Sequence, residues 1–296
     1  MAQSIGLIER AAALLRQQDA FEPDALPHPV AEADARPATP ELILDRGRLA
    51  RYGINLPSSG RSRIVEEFRL VKRNLMTQLS QGGSLADQRS SRLIMVTSAR
   101  PGEGKTFIAL NLALAFASER DVKALLVDVD TQHSTMQTIL GITGEQGIVD
   151  VLAGTCELSD VLLRTNIANL MILPSGRGGP HVPELFSSNQ MAALMAEMTR
   201  RFADRYVIID TPPCMASSDA AALAPLVGQI VFIVEAHHTQ QMEIEASLGM
   251  LSACPRISLL LNKSDTLSGE HFGSYEYYYH SQGRESDAPR SDRPAS

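Results

Sequence analysis

Three stretches of the chain are apolar at nearly every position and then stop at polar residues. Leu93-Ile94-Met95-Val96 runs into Thr97-Ser98 and a glycine-bearing turn. Leu125-Leu126-Val127 ends at Asp128 and Asp130, and Tyr206-Val207-Ile208-Ile209 ends at Asp210-Thr211-Pro212-Pro213. Short, unbroken runs of Leu and β-branched residues predict strands covered on both faces, as in a parallel sheet. Similar runs at 170–173, 230–234 and 257–261 predict further strands. Between them the apolar spacing becomes helical. Residues 61–79 carry Ile64, Phe68, Val71, Leu75 and Leu79 on one side, and Phe107, Leu110, Leu114 and an Ala-rich run to Ala117 give a second apolar face. Helices are also predicted over 182–202 and 240–251. Strands alternating with helices define an α/β class, a mostly parallel twisted sheet flanked by helices, running from Arg92 to about Lys263.

The flanks follow other rules. Ile5, Leu7, Ile8, Ala11, Ala12, Leu14 and Leu15 predict an amphipathic helix over 1–18. Residues 19–60 are rich in Pro, Ala and acidic residues, with Pro23, Pro27, Pro29, Pro37 and Pro40, and read as a flexible linker in which Leu42-Ile43-Leu44 can pack locally. Residues 266–296 are polar and charged and contain Gly and Pro, the composition of a mobile tail. Hydrophobic content of 44% is enough to build a core, and a formal net charge of −7 argues against a general nucleic-acid binder. The three cysteines, Cys156, Cys214 and Cys254, lack zinc-like spacing and read as reduced core residues of a cytosolic protein. Glu9 and Arg10 interrupt the first apolar stretch, so no signal peptide is expected, and no run is long enough to span a bilayer. A soluble protein follows, whose membrane role, if it has one, comes through a partner.

The chemistry concentrates at the strand ends. Pro101-Gly102-Glu103-Gly104-Lys105-Thr106 lies between the first strand and the helix that Phe107 opens. Backbone N–H groups in such a loop wrap a polyphosphate, and the helix N-terminus adds the positive end of its dipole. Lys105 can reach the β- and γ-phosphates, and the Thr106 hydroxyl can bind Mg²⁺. Ala99 stands where the strict motif has its first glycine. A carboxylate at the C-terminal end of a buried parallel strand lies on the ligand edge of an open sheet. Asp128, Asp130 and Asp210 occupy such ends, and one or two carboxylates with phosphates commonly hold Mg²⁺.

The loop, the segment Leu126-Val127-Asp128-Val129-Asp130 and the segment Ile208-Ile209-Asp210-Thr211-Pro212-Pro213 resemble the Walker A, A′ and B motifs of the bacterial tyrosine kinases. Glu66-Glu67-Phe68-Arg69-Leu70-Val71-Lys72 resembles that family's E-x-x-R-x-x-R oligomerisation motif, with Lys72 in place of the last Arg. Tyr275, Tyr277, Tyr278 and Tyr279 resemble its C-terminal tyrosine cluster. The branch most similar is that of the stand-alone autokinases of exopolysaccharide loci linked to exosortase/PEP-CTERM systems. The resemblance covers about residues 61–279. It implies a P-loop NTPase fold of the ParA/MinD-like type over 61–265 and an ATP- and Mg²⁺-dependent protein-tyrosine autokinase.

Pro101 to Phe107 and Asn262 then bind nucleotide, Lys105 stabilises the transferring phosphoryl group, Thr106 and Asp128 organise Mg²⁺, and Asp210 acts on the metal shell. Asp130 takes the tyrosyl proton or orients the hydroxyl, with Asp128 the alternative. The resemblance also implies a homo-oligomer, with a ring as its form, built through Glu66, Arg69 and Lys72. In it one subunit's tail feeds the next active site, and a separate transmembrane polysaccharide chain-length determinant serves as activator. This chain departs from the family at Thr131-Gln132-His133-Ser134, where similar kinases carry a basic residue and Pro or Gly.

Two rivals share the fold. Asn262-Lys263-Ser264-Asp265 matches the N-K-x-D pattern by which GTPases read guanine, although the Asn at this point of related ATPases serves adenine. A positioning ATPase of the ParA/MinD type, or a nucleotide-binding scaffold without transfer, is the other reading. Against the former, Arg100 stands where those ATPases carry a signature Lys, and they lack a tyrosine-rich tail.

Overall fold

A computed structural model describes residues 41–54, 56, 63–80, 92–144 and 146–264, all within the unit Thr39–Ser296. The predicted strands form as β2 (Leu93–Ser98), β3 (Lys123–Asp128), β5 (Leu170–Leu173), β6 (Arg205–Asp210), β7 (Gln229–Glu235) and β8 (Ile257–Asn262), joined by β1 (Glu41–Leu42) and β4 (Leu163–Thr165). Among the described residues these make one eight-stranded sheet in the order β1-β4-β5-β3-β6-β2-β7-β8. Only the β4–β5 pair is antiparallel.

The topology decides where a ligand can bind. From β2 the chain passes over to β3, and β6 later fills the gap between them. The chain then crosses to β7 on the other side of β2. Strand order reverses at β2, and the crevice beyond the C-terminal ends of β2, β3 and β6 is the ligand edge of such a sheet.

One face of the sheet is covered by α2 (Arg63–Ser80), α3 (Lys105–Ala117) and α4 (Thr135–Leu140). The other carries α5 (Ile148–Leu152), α6 (Leu158–Val161), α7 (Val182–Phe186), α8 (Asn189–Arg201) and α9 (Asp219–Leu223). Helix α3 was expected to have one apolar face. Instead it is buried almost all round, because it lies between the sheet and α2. Phe116 of α3 stacks on Tyr206 of β6 with ring centroids 4.2 Å apart, and the Arg92 guanidinium covers the Tyr206 ring.

Two expectations are corrected. The helix expected over 182–202 is two helices. Ser188 is extended (φ −87°, ψ 164°) and caps α8 by accepting from the Met191 N–H at 3.3 Å, so the chain turns between α7 and α8. The expected linker is folded over the described residues 41–54 and 56. Asp45 caps α1 (Arg46–Arg51), whose Arg48 donates to the Thr138 carbonyl of α4 at 2.6 and 3.1 Å. Asn166 brackets Leu44 through both backbone groups, and Leu44, Leu49, Ile54 and Leu56 are buried. Helix α10 (Gln241–Met250) forms within one residue of its expected span. The side chain of Leu79, residues 1–40 and the 266–296 tail lie outside the described residues. Among the described residues no helix is long and apolar enough to cross a membrane.

Candidate active site

The phosphate loop is shaped from behind. Gly102 and Gly104 adopt φ of +84° and +97°, the left-handed region that L side chains rarely enter. A Cβ at Gly104 would also meet Asn262 Nδ2 at 2.3 Å. That Nδ2 donates to the Glu103 carbonyl at 2.8 Å, and Lys263 Nζ donates to the Gly102 carbonyl at 2.9 Å while pairing with Glu235 at 3.0 Å. Because the trans peptide sets each N–H opposite its carbonyl, drawing these two carbonyls backwards turns the N–H groups of Glu103 and Gly104 toward the ligand side. The Glu103 side chain is buried, accepting from the Arg100 N–H at 2.8 Å and from the Thr239 hydroxyl. Its part in the loop is therefore structural, with the backbone left for phosphate.

The acidic strand ends meet in register. Asp128 of β3 pairs with Asp210 of β6, and Asp210 pairs with Val96 of β2. Thr211 donates its hydroxyl to the Val96 carbonyl at 3.1 Å, and the Cys214 N–H donates to the Ser98 carbonyl at 2.8 Å, fixing the turn after β6 against β2. Both Asp210 oxygens and Asp128 Oδ2 are enclosed without a hydrogen-bond partner among the described residues. Burial pushes Asp210 up to about 7, although the Thr106 hydroxyl and the Lys105 ammonium draw it down. Burial first, and then the charge of Asp210, hold Asp128 well above the usual carboxylate range. Asp130 is more open; its N–H donates to Asp128 Oδ1 at 3.0 Å, and its Oδ1 accepts from the Gln132 N–H at 3.2 Å.

Lys105, Thr106, Asp130, Pro101, Gly102, Gly104 and Phe107 line one cavity of about 310 Å³. Lys105 is 7% exposed, so its ammonium serves this cavity rather than solvent. Hard oxygen donors with unmet valence beside a phosphate loop fit Mg²⁺, which takes one or two carboxylates together with phosphates and water. Among the described residues no three His, Cys, Asp or Glu side chains cluster into a cage that would hold a metal without the phosphates.

Tyr52, Thr135 and Ile139, which the sequence reading did not place at the site, line the cavity as well, together with His133 of the atypical turn and Pro213 of the third motif. Tyr52 carried no signal, since it lies in the stretch read as linker. His133 sits 3.3 Å from Asp130 within the atypical A′ turn.

A pH dependence follows from the raised carboxylates. An Asp with an unfolded pKa of about 3.9 and a folded one near 7 binds its proton more tightly when folded. Its contribution is complete below about pH 4, is lost as pH rises to about 7 and then stays constant. The ligand-free protein is expected to lose on the order of a few kcal/mol over that window. Asp210→Asn should flatten the profile and raise Tm at pH 8, as scanning fluorimetry from pH 5 to 8.5 would read. A steeper loss in the variant would contradict the assignment.

The oligomerisation motif divides in two. Phe68, Lys72 and Leu75 lie at i, i+4 and i+7 on the buried stripe of α2. Lys72 is 4% exposed, donates to the Ala115 carbonyl at the end of α3 and pairs with Glu119. It is thus committed inside the subunit. Glu66 and Arg69 pair with each other one turn apart on the exposed side. Asp265 and the tail tyrosines Tyr275, Tyr277, Tyr278 and Tyr279 lie outside the described residues.

A glycine-bearing phosphate loop at the switch point of a mostly parallel sheet, with two in-register carboxylates beside it, defines a P-loop fold. A family model described as an AAA domain matches residues 91–244, just over half of the chain. The tyrosine-protein kinase CpsD of Streptococcus agalactiae is 32% identical over 193 residues, 64% of this chain and 82% of that one. The solved VpsO kinase domain is 31% identical with a TM-score of 0.58, covering 68% of this chain and 96% of its own. The chimerical protein CapA2B2 is 27% identical with a TM-score of 0.63, covering 77% and 94%. The chain belongs to the bacterial tyrosine-protein kinases.

Proposed function

We propose that the protein transfers the γ-phosphoryl group of ATP to tail tyrosines of a neighbouring copy. The observation that carries this reading is the buried Lys105 sharing one cavity with Thr106 and Asp130, above in-register carboxylates, three of whose four oxygens lack hydrogen-bond partners among the described residues. Backbone N–H groups of the loop and the Lys105 ammonium hold the phosphates and meet charge that develops on the transferring group. Mg²⁺, when bound by Thr106, Asp128 and Asp210, supplies further positive charge to the phosphate oxygens. The phenol oxygen forms a bond to the γ-phosphorus as the bond to the β–γ bridging oxygen breaks, and ADP leaves. Asp130 receives the phenolic proton. It borders the cavity, whereas Asp128 is 1% exposed and held toward its protonated form.

Nucleotide selection rests on Asn262, which stands at the loop's back wall. A competition between ATP and GTP for the site tests it, with ATP expected to win. The sequence likeness supports a place in exopolysaccharide synthesis, activation by a separate transmembrane chain-length determinant and recruitment to the inner membrane face through it. Incubating the protein with ATP and Mg²⁺, with and without the cytoplasmic segment of such a membrane protein, and mapping phosphotyrosine, tests the whole reading. Nucleotide hydrolysis without phosphotyrosine would favour a positioning ATPase.

The assembly has its own test. Glu66→Ala with Arg69→Ala should lower the oligomer mass in light scattering and leave Tm unchanged. Lys72→Ala should instead lower stability by about 1–3 kcal/mol, the range of lost packing and lost pairing inside a subunit. An unchanged mass for the double variant would mean that its ion pair is merely intrahelical.

A further inference from the structure

The last strand of the sheet has a free side. Among the described residues β8 pairs only with β7, so its other side is an open edge. The Arg256 carbonyl accepts from the Ile230 N–H, and the Asn262 carbonyl accepts from the Ala236 N–H. Backbone direction alternates along a strand, so the even-numbered residues of 256–262 turn their backbone groups to β7, and Ile257, Leu259 and Leu261 turn theirs to the edge. The side chains of these three share one face of the sheet, opposite the face where Ser258 bonds Gln78 of α2. Leu259 and Leu261 are each 57% exposed. An open strand with exposed leucines is a template for a further strand, and proteins ordinarily cover or blunt such an edge.

A groove of about 750 Å³ lies between α2 and the end of β8, with Leu70 and Val71 on one side and Leu260 and Leu261 on the other. Ser264, the last described residue, lines it too, so the residues that follow start at the groove. In sequence they hold Leu267-Ser268-Gly269, which suits a reversal, and then Tyr275, Tyr277 and Tyr279 at alternate positions. Tyr is a strong strand former, and in a strand this alternation sets three rings on one face. Antiparallel pairing of Tyr275 with Leu261, Tyr277 with Leu259 and Tyr279 with Ile257 centres the reversal on Ser268. Each ring then lies beside an apolar side chain, a favourable cross-strand pair. A second copy of β8 has no such advantage, because it arrives by diffusion, whereas a segment of the same chain closes only a short loop.

We infer that the outer edge of β8 binds the tyrosine segment of its own chain, residues 275–279, as a further antiparallel strand. The backbone groups of Ile257, Leu259 and Leu261 gain partners, and the rings cover the exposed leucines. A docked segment is withheld from the neighbouring subunit. Phosphate on Tyr277 sets about two negative charges beside Leu259 and favours release. The withholding of an acceptor rests on the kinase reading above, but the docking does not, since it needs neither nucleotide nor transfer.

Leu259→Cys with Tyr277→Cys in the full chain tests the pairing, because directly opposed residues of a hydrogen-bonded antiparallel pair stand about 5.5 Å apart at Cα, within disulfide reach. Oxidised glutathione, without nucleotide, is expected to link the two cysteines within one chain, read as a monomer band on a non-reducing gel and a cross-linked peptide in mass spectrometry. Leu259→Cys with Glu276→Cys, whose second thiol faces the other side of the strand, should link about tenfold more slowly. Equal rates for the two variants, or no link in either, would overturn the docking. A linked dimer from the first variant would mean that a second copy covers the edge, and would overturn it as well. Hydrogen exchange gives an independent readout. Tyr277→Pro removes a strand N–H and should speed exchange at the Leu259 and Leu261 amides about tenfold, while sparing Leu260 and Asn262, whose amides bond to β7. Unchanged exchange at Leu259 and Leu261 would overturn the docking even where the cysteine variants fail to fold. A protein that links as expected and yet forms no phosphotyrosine with ATP and Mg²⁺ would support the docking and overturn the kinase reading alone.

Discussion

Lys105→Met is expected to fold and yet transfer phosphoryl groups about 10²–10³-fold more slowly, the usual cost of removing one donor aimed at developing charge. Lys105 opens α3 directly after Gly104, which is left-handed, so the backbone fixes where its side chain starts. The ammonium is almost wholly enclosed, in surroundings where electrostatic interactions are stronger than in water. Met keeps the length and the apolar stem and removes only the charge. Phosphotyrosine formation at saturating ATP is the measurement, with Tm as the control for folding. Near-normal turnover would remove the phosphate loop from the mechanism. The loss of Lys105 also removes a charge that draws the Asp210 pKa down, so Asp210 should become still harder to ionise.

Changing Tyr275, Tyr277, Tyr278 and Tyr279 together to Phe is expected to abolish most phosphotyrosine and leave nucleotide affinity intact. Four phenols within five positions of a polar segment offer little to a core but suit an acceptor that must reach another subunit. Each phosphate added brings roughly −1.5 to −2 charges at neutral pH. Asp130 borders the receiving cavity, so a phosphorylated tail should be repelled and the oligomer loosened. Mass spectrometry and light scattering before and after ATP addition read both effects. The informative rival is Tyr52, which is 44% exposed and lines the phosphate cavity of its own subunit. Phosphate found mainly on Tyr52 would replace the tail mechanism with transfer within one chain. Tyr206 is no rival, because it is buried and stacked on Phe116.

The strands were legible because a strand covered on both faces must be apolar at each position, and β2, β3 and β6 are. Their polar endings were legible for the same reason: a carboxylate that interrupts such a run has to lie at its exit. Helix α2 was legible from its spacing, and that spacing also placed Lys72 on the buried stripe, although motif likeness drew it outward. Local packing at Leu42-Ile43-Leu44 was legible, and Leu44 is buried, but the folding around Leu49 and Ile54 was not, since these lack a strong period and the prolines before them dominate the composition. The break between α7 and α8 hid in two serines that read equally well as helix surface.

By itself, the sequence determined the α/β class, the phosphate loop and the presence of acidic strand ends, because each follows from local spacing and from what a buried strand or a close backbone approach permits. It could not determine which strands are neighbours. Only the sheet order set Asp128 against Asp210 and left three of their four oxygens without partners among the described residues. Only packing brought Asn262 at the end of β8, and Lys263 just after it, behind a loop 159 and 161 residues earlier. These contacts join segments far apart in the chain, and their energies depend on burial and mutual geometry that no stretch of sequence contains.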